Sequence, residues 1–306
     1  MNDKYNKLKI LQALSLDEKI LLANRRIEEW YYHHDGNVYV SFSGGKDSTV
    51  LLHLVRALFP EVPAVFFNTG LEFPEIVDFV KSVDNVEHIR PKMTFKEVVE
   101  KYGYPVISKE QAKYISEARN TNSKKLRDLR INGRKIASGR TQGKISEKWK
   151  FLLDAPFKIS DKCCDVMKKR PAKKYEKTSG NFPFLGVMSE DSSLRNQSYK
   201  EHGCNAFDMV RPISRPMMTW VEKDVWDYIK KFNLKYSKIY NMGYKRTGCV
   251  FCMFGCHRNN PNRFQRLQRT HPKLWNYCIN KLGLKEILEY INVPYEELTN
   301  KQIEMF

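Results

Sequence analysis

Six residues carry the first chemistry in this sequence: Ser43, Gly44, Gly45, Lys46, Asp47 and Ser48, within "VYVSFSGGKDSTVLLHLV". The two glycines let the backbone turn sharply and approach a ligand with no Cβ in the way. A helix beginning there aims unpaired N–H groups, and the positive end of its dipole, at the same point. Lys46 adds a point charge, Ser43 and Ser48 add hydroxyl donors, and Asp47 can cap the helix or help hold Mg²⁺. The spacing departs from the Walker A pattern G-x-x-x-x-G-K-[ST]. These residue types in this order call for a phosphate.

The second set of reactive groups is the cysteines, seven in all. Cys249 and Cys252 form C-x-x-C, which puts two sulfurs on one side of a turn and suits a single metal centre. Cys163 and Cys164 are adjacent. Successive side chains diverge, which is awkward for one zinc ion and fits the broader face of an iron–sulfur cube. Cys256 and His257 extend the later motif to C-x-x-C-x-x-x-C-H, so zinc stays open as the alternative metal. Cys204 stands in a separate context. Cys278, in "KLWNYCINKLGL", reads as a small core residue, and His53, in "TVLLHLV", as a side chain packed within a helix.

The elements that must position these groups follow from the pattern. Ser15 and Glu18 form a capping box ahead of a helix with Leu16, Ile20, Leu21, Ile27 and Trp30 at helical spacing. Val38 to Phe42 is a near-continuous apolar run, as for a strand buried on both faces. A helix over 49–58, a strand in "VPAVFFNTG", a helix over 74–83, a strand in "VEHIRP" and a helix over 95–102 follow. Alternation of this kind implies right-handed crossovers and a parallel sheet. Ligands of such sheets bind outside the carboxyl ends of the strands. Ser43 to Ser48 and Asn68-Thr69-Gly70 both fall at such ends. "PFLGVMSEDSSLR" and "AFDMVRPI" read as further strands, and "WVEKDVWDYIKKFN" starts a helix at Glu222. Residues 109–150 hold thirteen Lys/Arg against four Asp/Glu with few large apolar residues, an insertion expected to be mobile or wrapped over something acidic. The predicted organisation is an N-terminal helical segment over 1–36, a main domain over 37–255 carrying that insertion, and a helical C-terminal extension over 256–306.

A formal net charge of +18 and a pI near 9.5 work against compaction and favour a polyanionic partner, nucleic acid ahead of membrane. A lysine-rich solvated surface is the plainer reading of the same charge. Beyond the insertion, "MKKRPAKKYEK" and "HRNNPNRFQRLQR" offer two more cationic surfaces, and in the latter Phe264 could stack a base among arginines. No stretch is apolar and long enough to span a bilayer, and the N-terminus lacks a signal peptide's apolar core. The expectation is a cytoplasmic protein with reduced cysteines.

Ser43 to Ser48 resembles the PP-loop of the ATP pyrophosphatases, whose pattern is SGGxDS after the first strand. "NTGLEFPE" and "LGVMSEDSSLR", with Gly186, Glu190 and Arg195 at matching places, are similar to the phosphoadenylylsulfate reductase and ATP sulfurylase branch. So is "WVEKDVWDYIKKFNLKYSKIYNMGYKRTGCVFC". The resemblance implies an α/β fold of the adenine nucleotide alpha hydrolase kind, with a parallel five-stranded sheet flanked by helices. It implies a loop that grips the terminal phosphates of ATP as Mg²⁺ complex and cleavage to AMP and pyrophosphate. Ser43 to Ser48, Asn68, Thr69, Gly70, Gly186 and Glu190 would bind the nucleotide, and Lys46, Asp47 and Arg195 would act in catalysis. The order CC…C-x-x-C resembles the [4Fe–4S] pattern of bacterial sulfonucleotide reductases and of DNA phosphorothioation proteins of the DndC kind, implying Cys163, Cys164, Cys249 and Cys252 as ligands.

The function expected is ATP-driven sulfur transfer, on DNA or tRNA, with sulfur from a donor protein such as a cysteine desulfurase. Two other readings stand beside it. One is a sulfonucleotide reductase of sulfur assimilation, against which the segment after Cys278 brings no E-C-G-[IL]-H motif. The other is a nucleotide-sensing regulator that binds nucleic acid.

Overall fold

The computed structural model describes residues 2–297, with side chains from residue 6 onward, so the last part of the expected C-terminal helical region, 298–306, lies outside it. Eight strands are formed: β1 (Val38–Ser41), β2 (Ala64–Phe67), β3 (Val86–Ile89), β4 (Arg134–Lys135), β5 (Thr141–Gln142), β6 (Phe182–Leu185), β7 (Asn205–Ala206) and β8 (Ile213–Ser214). The α-helices are α1 (Asn2–Ala13), α2 (Leu16–His33), α3 (Lys46–Leu58), α4 (Pro74–Lys81), α5 (Phe95–Tyr102), α6 (Lys109–Asn120) and α7 (Lys124–Asn132), followed by α8 (Arg170–Ser179), α9 (Ser193–His202), α10 (Glu222–Lys231), α11 (Arg263–Thr270), α12 (Pro272–Asn276) and α13 (Leu284–Tyr290). The chain forms two compact units: Met1–Asn68, Glu72–Arg90 and Pro171–Thr247 in the first, and Thr69–Leu71, Pro91–Arg170 and Gly248–Phe306 in the second.

The first unit holds a six-stranded sheet in the order β3-β2-β1-β6-β8-β7. The first five run parallel, as expected, and β7 adds a short antiparallel edge. "AFDMVRPI", expected as one strand, is instead the β7–β8 hairpin with Val210 fully exposed in its turn. Register fixes the faces. Val38 pairs with Phe182 and Val40 with Phe184, so these four share a face, and Trp30 of α2 packs its ring on both phenylalanines. Tyr39 and Phe67 lie on the opposite face, where both meet Tyr175 of α8. Helices therefore cover both faces, which is why β1 and β2 are almost wholly apolar.

The predicted capping box at Ser15 and Glu18 starts α2, which buries Ala23, Ile27 and Trp30 but leaves Leu21 exposed. A buried ion pair ties α2 to α10: Lys19 Nζ lies 2.7 Å from Asp224 Oδ2, and the lysine is 2% exposed. Asp224 Oδ2 also accepts the Val221 N–H at 2.7 Å, closing the start of α10. His53 is packed as expected, with Nδ1 2.8 Å from the Tyr228 hydroxyl.

In the second unit the basic insertion is folded rather than loose. Ser108 and Ser123 cap α6 and α7, α6 buries Ala112, Ile115 and Ala118, and Ile145 and Trp149 are buried beyond the β4–β5 hairpin. The sequence average hid this because small residues and a few large ones supply the buried face, while α7 buries nothing. The expected stacking role of Phe264 is corrected. In α11 the period of 3.6 turns Phe264 and Leu267 inward, and Phe264 is 0% exposed, so its ring is unavailable to a base. Cys278 is a core side chain, 0% exposed. No helix among the described residues is long and apolar enough to cross a membrane.

Candidate functional site

Ser43 to Ser48 link β1 to α3, and the helix begins at Lys46, three residues before its expected start. Gly44 has φ +71, and a Cβ there would lie 2.7 Å from Val80 Cγ2 and 2.9 Å from Ile76 Cγ2. Only glycine allows this turn. Ser48 Oγ accepts the Ser43 N–H at 3.2 Å and donates to the Gly45 carbonyl at 2.9 Å. Ser43 Oγ accepts the Gly45 N–H at 3.3 Å. The Lys46 N–H is taken by the Tyr240 hydroxyl at 2.8 Å. Among the described residues the N–H groups of Gly44, Asp47 and Ser48 have no hydrogen-bond partner. Donors left open at a helix start make an anion site.

Lys46 is 4% exposed. Its ammonium lies 2.9 Å from Asp47 Oδ1 and 3.7 Å from Glu222 Oε1. Burial pulls its pKa down, but Asp47, Tyr240 and Glu222 outweigh burial and hold it above the ordinary lysine value. Burial pushes the Asp47 carboxyl up, and Asp191 and Glu222 add to this against the pull of Lys46. Two carboxylates, Asp47 and Glu222, thus act on buried Lys46, while Asp191 and Glu222 crowd Asp47, an environment that a divalent cation would relieve.

The other residues expected at this site fall into distinct places. Gly186 follows β6, and a Cβ on it would meet Asp47 O and Ser48 Cα at 2.9 Å each. Its part is to let the strand end pass against the start of α3. Glu190 Oε1 accepts the Glu222 N–H at 2.6 Å and so caps α10. Arg195 pairs with Asp191, which also receives Arg246 Nη2 at 3.2 Å. Asn68 follows β2 in the first unit, its N–H donating to Ile89 O at 2.8 Å. Thr69 and Gly70 belong to the second unit, where Thr69 Oγ1 accepts the Leu71 N–H at 3.2 Å.

Sequence reasoning missed Tyr240, Thr247, Glu222 and Asp191. Tyr240 stands 194 residues from Lys46, and its hydroxyl lies 3.5 Å from Thr247 Oγ1. Its only signal was a position just ahead of the C-x-x-C motif.

The four cysteines expected as ligands all lie in the second unit. Burial raises the Cys163 thiol well above its ordinary value, and Cys164, Cys249 and Cys252 each add to the rise. Burial likewise raises Cys252, with Arg263 opposing and Cys164 contributing. Lys168 opposes the rise at Cys163 and Cys252, and Arg263 opposes it at Cys252. The Cys252 N–H returns to Cys249 O at 3.2 Å, forming the C-x-x-C turn. Four thiols are the donor type that a soft, thiolate-bound centre takes, but the structure does not draw them together into one. Among the described residues no group of three or more His, Cys, Asp or Glu is disposed to hold a metal ion. In the zinc alternative, burial raises Cys256 to about 11 and Cys252 adds to this. His257 instead faces Trp149 at 5.2 Å, and burial, Arg258 and Lys148 lower its pKa.

The chain is similar to several known proteins. An uncharacterized protein of Methanocaldococcus jannaschii is 27% identical over 253 residues, covering 80% of this chain and 41% of its own length. The chain spans about half the length of the first curated relatives it matches, 41% and 53% of them. An adenosine 5'-phosphosulfate reductase of Staphylococcus haemolyticus is 24% identical over 270 residues, covering 85% of this chain and 89% of that one. The crystal structure of a phosphoadenylyl-sulfate reductase from Candida auris, as its phosphate complex, aligns with a TM-score of 0.42 at 17% identity over 80% of this chain and 93% of that one. Residues 37–254 match the family described as phosphoadenosine phosphosulfate reductase domain, and the chain belongs to that family.

Proposed function

We propose that the protein is an ATP pyrophosphatase that activates an acceptor on nucleic acid for sulfur transfer. The observation that carries this reading is the start of α3, where the Gly44, Asp47 and Ser48 N–H groups meet no acceptor among the described residues, beside buried Lys46. These donors suit the β- and γ-phosphates of ATP. An acceptor oxygen attacks the α-phosphorus, the bond to the bridging oxygen breaks, and pyrophosphate leaves with that electron pair. Lys46 and the open amides offset the charge gathering on the leaving group, and Asp47 helps place the Mg²⁺ that accompanies the nucleotide. Arg195, paired with Asp191, offers a second cation to a phosphate. A sulfur nucleophile from a donor protein such as a cysteine desulfurase then displaces AMP.

Cys163, Cys164, Cys249 and Cys252 would hold a [4Fe–4S] cluster, with zinc as the alternative. When bound, the cluster supplies a soft metal able to hold sulfur. DNA or tRNA as acceptor is favoured by the net charge of +18 and by exposed Lys124, Lys125, Arg134, Lys135 and Arg140, none with a carboxylate partner among the described residues. The test is AMP and pyrophosphate formation from ATP with DNA, tRNA or sulfate as acceptor. Lys46→Ala should abolish both products and leave iron content unchanged. Full turnover by that variant sinks the assignment, and ATP binding with no AMP from the native protein points to a regulator instead.

A second reading, reduction of adenylylsulfate, is favoured by the names of curated relatives such as the Staphylococcus haemolyticus reductase. Steady formation of sulfite from adenylylsulfate with thioredoxin would select it.

A further inference from the structure

The second unit contains a cavity of about 430 Å³ that the reading above does not use. Its volume falls in the range of small-ligand clefts, roughly 300–1,000 Å³. Three aromatic side chains line it: Trp149, Phe151 and Tyr290. Phe151 and Tyr290 are 42% and 39% exposed, with ring centroids 5.7 Å apart. Exposed aromatic area of this kind costs free energy in water unless something covers it. His257 also lines the cavity, and its Nδ1 is buried with no hydrogen-bond partner. A buried ring nitrogen left unpaired is costly, and a ligand edge that donates or accepts would complete it. Lys148 and Arg258 complete the wall as exposed cations. The Lys148 ammonium lies over the Trp149 ring at 5.0 Å.

A flat π-faced ring, a hydrogen-bonding edge and an attached anion answer these three features together. We infer that the cavity takes one unstacked nucleobase, its face against the aromatic walls, its edge at His257 and its phosphate at Lys148 and Arg258. This deepens the proposed nucleic-acid partner and rests on it for the source of the base. The cations Arg134, Lys135 and Arg140 are in the same unit, and they favour a single strand over a free mononucleotide. A base inside a duplex is stacked on both sides and cannot enter without being extruded.

The test uses the full chain and a short single-stranded oligonucleotide carrying one 2-aminopurine, whose fluorescence falls on stacking. Quenching is expected on binding, with affinity at least tenfold weaker for the matching duplex. Tyr290→Ala, His257→Phe and Lys148→Glu should each weaken binding by about tenfold while their thermal midpoints stay close to the native one. Lys46→Ala should bind the oligonucleotide as the native chain does, which separates this site from the phosphate loop. Equal binding by all three cavity variants, or no quenching with the native chain, overturns the inference even where ATP is still cleaved. AMP binding as tightly as the oligonucleotide, and lost in the same variants, upholds the base pocket and overturns the single strand as its source.

Discussion

The Tyr240 hydroxyl accepts the Lys46 backbone N–H at 2.8 Å, so an aromatic side chain occupies the first donor of α3. It competes for a position that a phosphate oxygen can take. Tyr240→Phe leaves that donor unpaired and should lower stability by about 1 kcal/mol without ligand. Saturating pyrophosphate should restore most of the loss, because its oxygen replaces the hydroxyl. Thermal unfolding with and without pyrophosphate reads both effects, and a loss that ligand does not recover contradicts the exchange.

Gly44 and Gly186 meet the loop from two sides, and alanine at either should be harmful for different reasons. At Gly44 the backbone has φ +71 and the new methyl would press on Val80 and Ile76. At Gly186 it would press on the backbone of Asp47 and Ser48. Each should cost about 1–3 kcal/mol by urea denaturation and suppress pyrophosphate release. A Gly186→Ala variant with native release would mean that the strand end does not constrain the loop.

On the proposed [4Fe–4S] reading, serine at Cys163, Cys164, Cys249 or Cys252 should each remove bound metal. Cys278→Ala should keep the metal, since that thiol is a core group. Iron, sulfide and zinc measured after anaerobic purification decide this. Undiminished metal in two or more of the serine variants would dismiss the set.

His34 predicts an acid-sensitive stability. Its ring stacks on Phe182 at 3.7 Å, and burial, with His33 adding, lowers its pKa to about 4. In the unfolded chain the same group titrates near 6.5, the ordinary histidine value. Between these values the unfolded chain binds more protons, so stability falls as pH drops from 6.5 to 4. His34→Phe should flatten that part of the profile of thermal midpoint against pH. An unchanged slope would place the sensitivity elsewhere.

The turn between β1 and α3 was legible because it is a local pattern with a local mechanism, a turn that needs glycine. The parallel strands showed as apolar runs for the same reason. Tyr240, Glu222 and Asp191 were not legible, since their part depends on side chains returning to Lys46 and Asp47 from far along the chain. Phe264 misled because a residue flanked by arginines in sequence can still face the core when a helix rotates it inward. The insertion misled because average polarity hides a narrow buried stripe such as Ala112, Ile115 and Ala118.

The pairing of Lys19 with Asp224 bears on where this domain can be cut. Residues 37–254 carry the family match, yet the cation that neutralises Asp224 comes from α2, upstream of it. Trimming the chain to those limits would strand a carboxylate in an apolar interior, a change worth about 3–5 kcal/mol when one member of such a pair is removed. The damage would reach the turn before α3 as well, because Glu222, two residues from Asp224, faces Lys46. Any minimal fragment made for crystallography or screening therefore has to keep α2.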